Sequence, residues 1–125
     1  ATSEKQVLGH LPDGRVSLVV GTHTHVPTAD HRILPGGTGF ITDVGMCGAY
    51  DGVIGMDKGE PMRRMIERVP GQRIGPATGP ATVCGIAVET NDRTGLAEWI
   101  APIRMGGDLE ETLPLRWEEA ATTAG

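Results

Sequence analysis

Hydrophobic positions along the chain fall into three rhythms. Val16-Ser17-Leu18-Val19-Val20 is nearly continuous and β-branched, which predicts a central strand buried on both faces. Met62, Met65, Ile66 and Val69 recur at helical spacing, with Pro61 tolerable in a first turn, and predict a short helix over Glu60–Val69. Met62 and Met65 are expected in the core, with a cap or a subunit contact as the alternative. Shorter β-rich runs predict strands at Arg32–Leu34 and Gly39–Val44, joined through Pro35-Gly36-Gly37. A second pair, Thr82–Thr90 and Leu96–Ile103, is joined through Asn91–Gly95.

Between these runs the chain is polar or rich in Gly and Pro. Ser3–His10 reads as the end of a helix that Thr2 or Ser3 can cap, followed by a turn at Leu11-Pro12-Asp13-Gly14. Gly21–Asp30, Gly45–Gly55 and Gln72–Ala81 read as loops, and the tail over 107–125 is expected to be loose. The order helix, strand, hairpin, helix, hairpin is mixed α/β without a complete doubly wound pattern, as expected for part of a larger sheet.

Composition sharpens this picture in few places. The 125 residues include 19 Gly and 9 Pro with only 3% aromatics, which predicts many tight connections and a lightly filled core that depends on another segment to complete its packing. A net charge of −5 with no basic block argues against a surface for long nucleic acid, while leaving a small nucleotide open as a substrate. Two cysteines, Cys47 and Cys84, lack metal-type spacing and do not make a disulfide scaffold, so a reducing, cytoplasmic compartment is expected. No apolar run reaches the length of a membrane span. The chain opens Ala1-Thr2-Ser3-Glu4-Lys5 without an initiator Met, as expected of a piece of a longer protein.

Candidate chemistry gathers at Val19-Val20-Gly21-Thr22-His23-Thr24-His25-Val26. On an extended segment His23 and His25 would project to the same side and reach one metal or two adjacent ones. Gly21 allows a sharp turn where the strand ends, which is where open α/β sheets place ligands. Imidazole suits Zn, Fe, Mn or Ni better than Mg or Ca. Asp30 is a candidate to orient a ligand histidine. Asp43 and Gly45 open a loop that would line a substrate pocket, with backbone N–H groups near phosphate. Thr22 and Thr24 flank the histidines as further pocket candidates. His10 and His31 stand outside the motif.

Gly21-Thr22-His23-Thr24-His25-Val26 resembles the final G-H/T-x-H motif of the calcineurin-like metallophosphoesterases. The likeness extends through Ile33–Thr38, Ile41–Met46 and Val53–Lys58, and is closest to the bacterial branch of 2′,3′-cyclic-nucleotide phosphodiesterases. That resemblance implies the C-terminal part of an α/β/β/α sandwich carrying a dimetal site. It implies that His23 binds one metal and His25 the other, the ions being Mn or Fe, with Zn or Mg as alternatives. The remaining ligands and the leaving-group acid would come from an N-terminal portion that precedes this chain, so the 125 residues alone are expected to be inactive. A homo-oligomer acting on a small phosphate ester is the expected assembly. A capsule-synthesis-type member of the same superfamily and a non-catalytic oligomerisation module are the alternatives.

Overall fold

The computed structural model describes residues 1–117. Helix α1, Thr2–His10, leads through the Leu11–Gly14 turn to strand β1, Leu18–Val20. Strands β2, Arg32–Ile33, and β3, Gly39–Ile41, form the first expected hairpin. Leu34 N–H donates to the Thr38 carbonyl at 2.8 Å to close it. β3 also pairs in parallel with β1, with Val19 opposite Phe40, so the first sheet has the order β1-β3-β2.

The second sheet is built on the long hairpin of β5, Ala81–Thr90, and β6, Ala97–Met105. Its connection holds because Asn91 Oδ1 accepts the N–H groups of Arg93 and Thr94 at 2.8 and 3.1 Å, a side-chain turn that polar Asn makes well. A short strand β4, Gly48–Ala49, completes the order β4-β5-β6. The Gly45–Gly55 region, expected to be loop throughout, thus contributes a strand, because the edge of β5 offers its backbone pairing partners. The two sheets meet where Ala97 N–H donates to the Gly37 carbonyl at 2.8 Å. Leu34, Phe40, Ile41, Cys84, Ala87 and Ala97 form the buried core. The architecture is mixed α/β, as expected, with two three-stranded sheets.

Two expectations about burial are corrected. β1 is shorter than the apolar run Val16–Val20 and is not buried on both faces, for Val20 is 45% exposed. It pairs on one side alone among the described residues. Helix α2, Gly59–Glu67, lies where its spacing predicts, but it buries none of its residues. Met65 and Ile66 are 83% and 77% exposed, which overturns the core reading of the methionine stripe. Helical spacing reveals an apolar face but not what covers it.

The helix instead ends on itself. Glu60 receives Arg63, Arg64 and the Gln72 N–H, tying the return of the chain to the first turn of α2. Of the tail beyond Gly106, Thr112 exchanges backbone hydrogen bonds with Arg104 at 2.8 and 2.9 Å, and the Trp117 ring lies 5.8 Å from that of Trp99. Residues 118–125, and with them the expected frayed end, lie outside the described residues. No helix among the described residues is long and apolar enough to cross a membrane.

Candidate metal centre

The loop that carries the two histidines is laid back along the segment leaving β3. Gly21 N–H donates to the Ile41 carbonyl at 3.1 Å and Val44 N–H to the Gly21 carbonyl at 2.9 Å. Thr28 N–H then reaches the Asp43 carbonyl at 2.9 Å. This close approach explains the glycine at the end of β1, since a Cβ on Gly21 would overlap the Thr42 carbonyl oxygen.

Between those anchors the backbone is bent rather than extended. His23 has φ 128° and His25 φ 67°, both in the region that favours glycine. Strand alternation therefore does not set the directions of the two rings, as the spacing alone predicts; the bends at His23 and His25 do. Residues held in such conformations cost roughly 1–3 kcal/mol each and persist where surrounding bonds over-determine them. Both side chains are exposed, so burial is not what holds them.

Asp43 is the chief of those surrounding bonds. Its carboxylate is wholly buried. Oδ2 accepts the Thr24 N–H at 2.7 Å and the Lys5 ammonium at 3.3 Å, while Oδ1 accepts the Gly45 N–H at 2.9 Å. Burial pushes its pKa up, but the N–H groups of Thr24 and Gly45, with the Thr24 side chain and Lys5, outweigh it and hold the carboxyl below the ordinary range. Gly45 itself needs φ 90°, which keeps its N–H turned to the carboxylate without a Cβ against Pro27. Asp43 and Gly45, singled out as pocket-lining candidates, thus stand as supports beneath the histidine loop.

The His25 ring has a hold of its own. Its Nδ1 lies 3.0 Å from the Ile54 carbonyl. A carbonyl only accepts, so the neutral ring carries its proton on Nδ1 and leaves the Nε2 lone pair free. Ile54 has φ 50°, unusual for a β-branched residue, in a turn closed by reciprocal Val53 and Met56 hydrogen bonds of 2.9 Å. Nothing in the spacing of the sequence links residue 54 to the histidines. The one legible hint is the Gly55 that follows it, which takes φ 86° in the same turn.

The other candidates are distributed around this centre. Asp30 accepts the Thr28 and Thr42 hydroxyls and the Thr42 N–H, the last at 3.1 Å. Burial raises its pKa, but the two hydroxyls together with backbone hydrogen bonds outweigh it and hold the carboxyl below the ordinary range. Thr22 is exposed, and Thr24 bonds locally, its Oγ1 donating to the Val26 carbonyl at 3.0 Å. Tyr50 closes the Gly45–Tyr50 loop by accepting from Met46 N–H and donating to its carbonyl, at 3.0 and 2.9 Å. Burial first, then the neighbouring Cys84 side chain, push the Tyr50 phenol up to about 12.

These residues fit part of a transition-metal site. Two exposed imidazoles sit on a strained, doubly anchored loop, and one has a free Nε2 with its other nitrogen fixed by a carbonyl, an arrangement usual in metal-ligating histidines. Among the described residues no group of three or more His, Cys, Asp or Glu could hold a metal ion.

Known proteins share this arrangement of chain. A 2′,3′-cyclic-nucleotide 2′-phosphodiesterase of Bacillus subtilis is 50% identical over 108 residues, covering 86% of this chain and 40% of that protein. A crystal structure of a hypothetical protein from Thermus thermophilus matches with a TM-score of 0.77 at 40% identity, over 86% of this chain and 42% of that one. A phosphatase of Mycoplasma pneumoniae matches with a TM-score of 0.76 at 34% identity, over 94% and 41%. The chain therefore spans about two fifths of the length of these relatives. The sequence pattern of one family runs without a break over residues 1–103, from α1 through the histidine loop to β6, and by that match the chain belongs to the YmdB-like protein family.

Proposed function

We propose that His23 and His25 contribute to a dimetal centre in the full-length protein, which hydrolyses 2′,3′-cyclic nucleotides or related small phosphate esters. The observation that carries this reading is the pair of histidines held at positive φ, with His25 presenting Nε2 because the Ile54 carbonyl takes Nδ1–H. A side chain that only decorates a surface needs neither strain nor an oriented ring. The Bacillus subtilis relative, half identical to this chain, is a phosphodiesterase of that substrate class.

Metal ions bound there would supply activation of an attacking water and neutralisation of charge on the phosphate oxygens. This chain's own residues prepare the place. His23 would hold one ion and His25 the other, and imidazole donors favour transition metals such as Mn, Fe or Zn over Mg. Asp43, its charge balanced by Lys5, holds the Thr24 N–H beneath the loop without reaching solvent. The exposed side of the loop, with Thr22 and Thr24, is left open to a small substrate. The further ligands and the acid that protonates the leaving oxygen belong to the part of the relatives' length that this chain does not span.

The test is hydrolysis of a 2′,3′-cyclic nucleotide by the full-length protein with added Mn²⁺. Turnover should disappear on chelation and return with metal, and the His23→Ala, His25→Ala double variant should lose at least a hundredfold while keeping its fold. Metal-independent turnover, or full activity in the double variant, would refute the reading.

A further inference from the structure

The middle residue of the His23-Thr24-His25 triplet has its own support, separate from either ring. Thr24 N–H points into the protein, 2.7 Å from Asp43 Oδ2, and is the peptide group that lies between the two strained histidines. Asp43 holds the same loop to Gly45 with its other oxygen, at 2.9 Å, and is neutralised from α1 by Lys5. The carboxylate thus joins three separate stretches of chain: α1, the histidine loop and the turn leaving β3. We propose that Asp43 is a positioning residue that fixes the His23–His25 backbone for metal binding, with Lys5 as its counter-ion; this rests on the metal reading above.

The chemistry of the alternatives makes the assignment specific. An amide at this position has one acceptor oxygen for two N–H donors, so either Thr24 or Gly45 would face an NH₂ group and lose its bond. The Lys5 ammonium, with its side chain one-fifth exposed, would also lose its anion. Freed from the carboxylate, the Thr24 peptide can rotate, and residues 23 and 25 can relax towards ordinary φ. Both imidazoles survive that change, but their relative placement does not. Asp30, by contrast, binds Thr28 and Thr42 and leaves the peptide between the histidines untouched.

The experiment is a Mn²⁺ titration of the full-length protein followed by electron paramagnetic resonance, for wild type, Asp43→Asn, Lys5→Met and Lys5→Arg. Loss of a group that orients a metal ligand typically weakens affinity about 10–100-fold, which is the range expected for Asp43→Asn. Lys5→Met keeps both N–H bonds and should lose a smaller factor, with Lys5→Arg restoring most of it. The bound-Mn²⁺ line shape should also change in Asp43→Asn.

A purely structural role is separated by Ala87→Gly in β5, chosen to lower the melting temperature without touching the loop. It should bind Mn²⁺ as wild type does. If Asp43→Asn fails to fold, Lys5→Met carries the test, and wild-type affinity and line shape in it would overturn the proposal. Wild-type affinity in a folded Asp43→Asn would overturn it directly. If His23→Ala with His25→Ala keeps the metal bound, the metal reading falls and this proposal with it. If that double variant loses metal while Asp43→Asn holds it fully, only the role of Asp43 falls.

Discussion

A glycine and two histidines show how little room the loop leaves for substitution. At Gly21 any Cβ would meet a backbone carbonyl, which cannot rotate away as a flexible side chain can. Gly21→Ala should therefore destabilise the full-length protein by about 3 kcal/mol, at the upper end of overpacking costs. A urea-unfolding midpoint measures it, and a loss below the error of that experiment would show that the strand end yields easily. At His25 the cost runs the other way, because glycine relieves positive φ. His25→Gly should be neutral or stabilising for the fold while abolishing metal binding, the opposite signs of a strained functional residue. Thermal melting paired with a metal titration checks both signs together.

The histidines themselves were legible because Gly-x-His-x-His after a Val-rich strand is a local pattern. Their supports were not. Asp43 lies 19 positions from Thr24 and Ile54 lies 29 from His25, and a backbone carbonyl leaves no mark in the identity of its residue. The partners of Asp30 were hidden for the same reason: they are set by how the loop folds back on Thr42, a non-local fact.

Strands and helices divide by whether their causes are local. The β5–β6 hairpin follows from alternation plus an Asn91 turn, both visible in the chain, and it forms as expected. β4 has no such pattern and exists because an edge of β5 receives it. Helix α2 was foreseen by spacing, yet its burial was not, since a hydrophobic face does not disclose its partner.

What holds α2 in place is charge. Glu60 is drawn from an ordinary pKa of 4.5 to about 2, chiefly by its hydrogen bond from Arg63, with the Gln72 N–H and Arg64 adding to it. A carboxyl with a lowered folded pKa contributes its stabilisation fully above the unfolded value and loses it as pH falls through the folded one. Protection of the Gln72 amide should thus be constant above pH 4.5 and fall between there and pH 2. In Glu60→Gln it should be lower throughout and insensitive to that window. Hydrogen exchange read by NMR decides, and an identical acid profile in both proteins would remove Glu60 from this role.

At the scale of the whole molecule, three apolar surfaces stand without cover among the described residues. They are the outer side of α1 with Val7 and Leu8, Val20 on β1, and the methionine stripe of α2. The chain spans about two fifths of its relatives' length, and an uncovered strand edge invites pairing with another chain. The 125-residue chain by itself should accordingly self-associate in sedimentation velocity and bind a hydrophobic dye, while the full-length protein binds far less. A dispersed monomer with no dye binding would show that these faces are tolerated as they are. On the proposed reading the same division holds at the site, where His23 and His25 would be joined by donors from the rest of the full-length protein.

The most direct test is therefore the metal content of the purified full-length protein, measured by inductively coupled plasma mass spectrometry. Wild type and the His23→Ala, His25→Ala double variant should be loaded identically with Mn²⁺ and freed of excess. The account predicts two ions per wild-type chain and a clear loss of occupancy in the double variant, with the fold retained by circular dichroism. Equal metal content in the two proteins would contradict it.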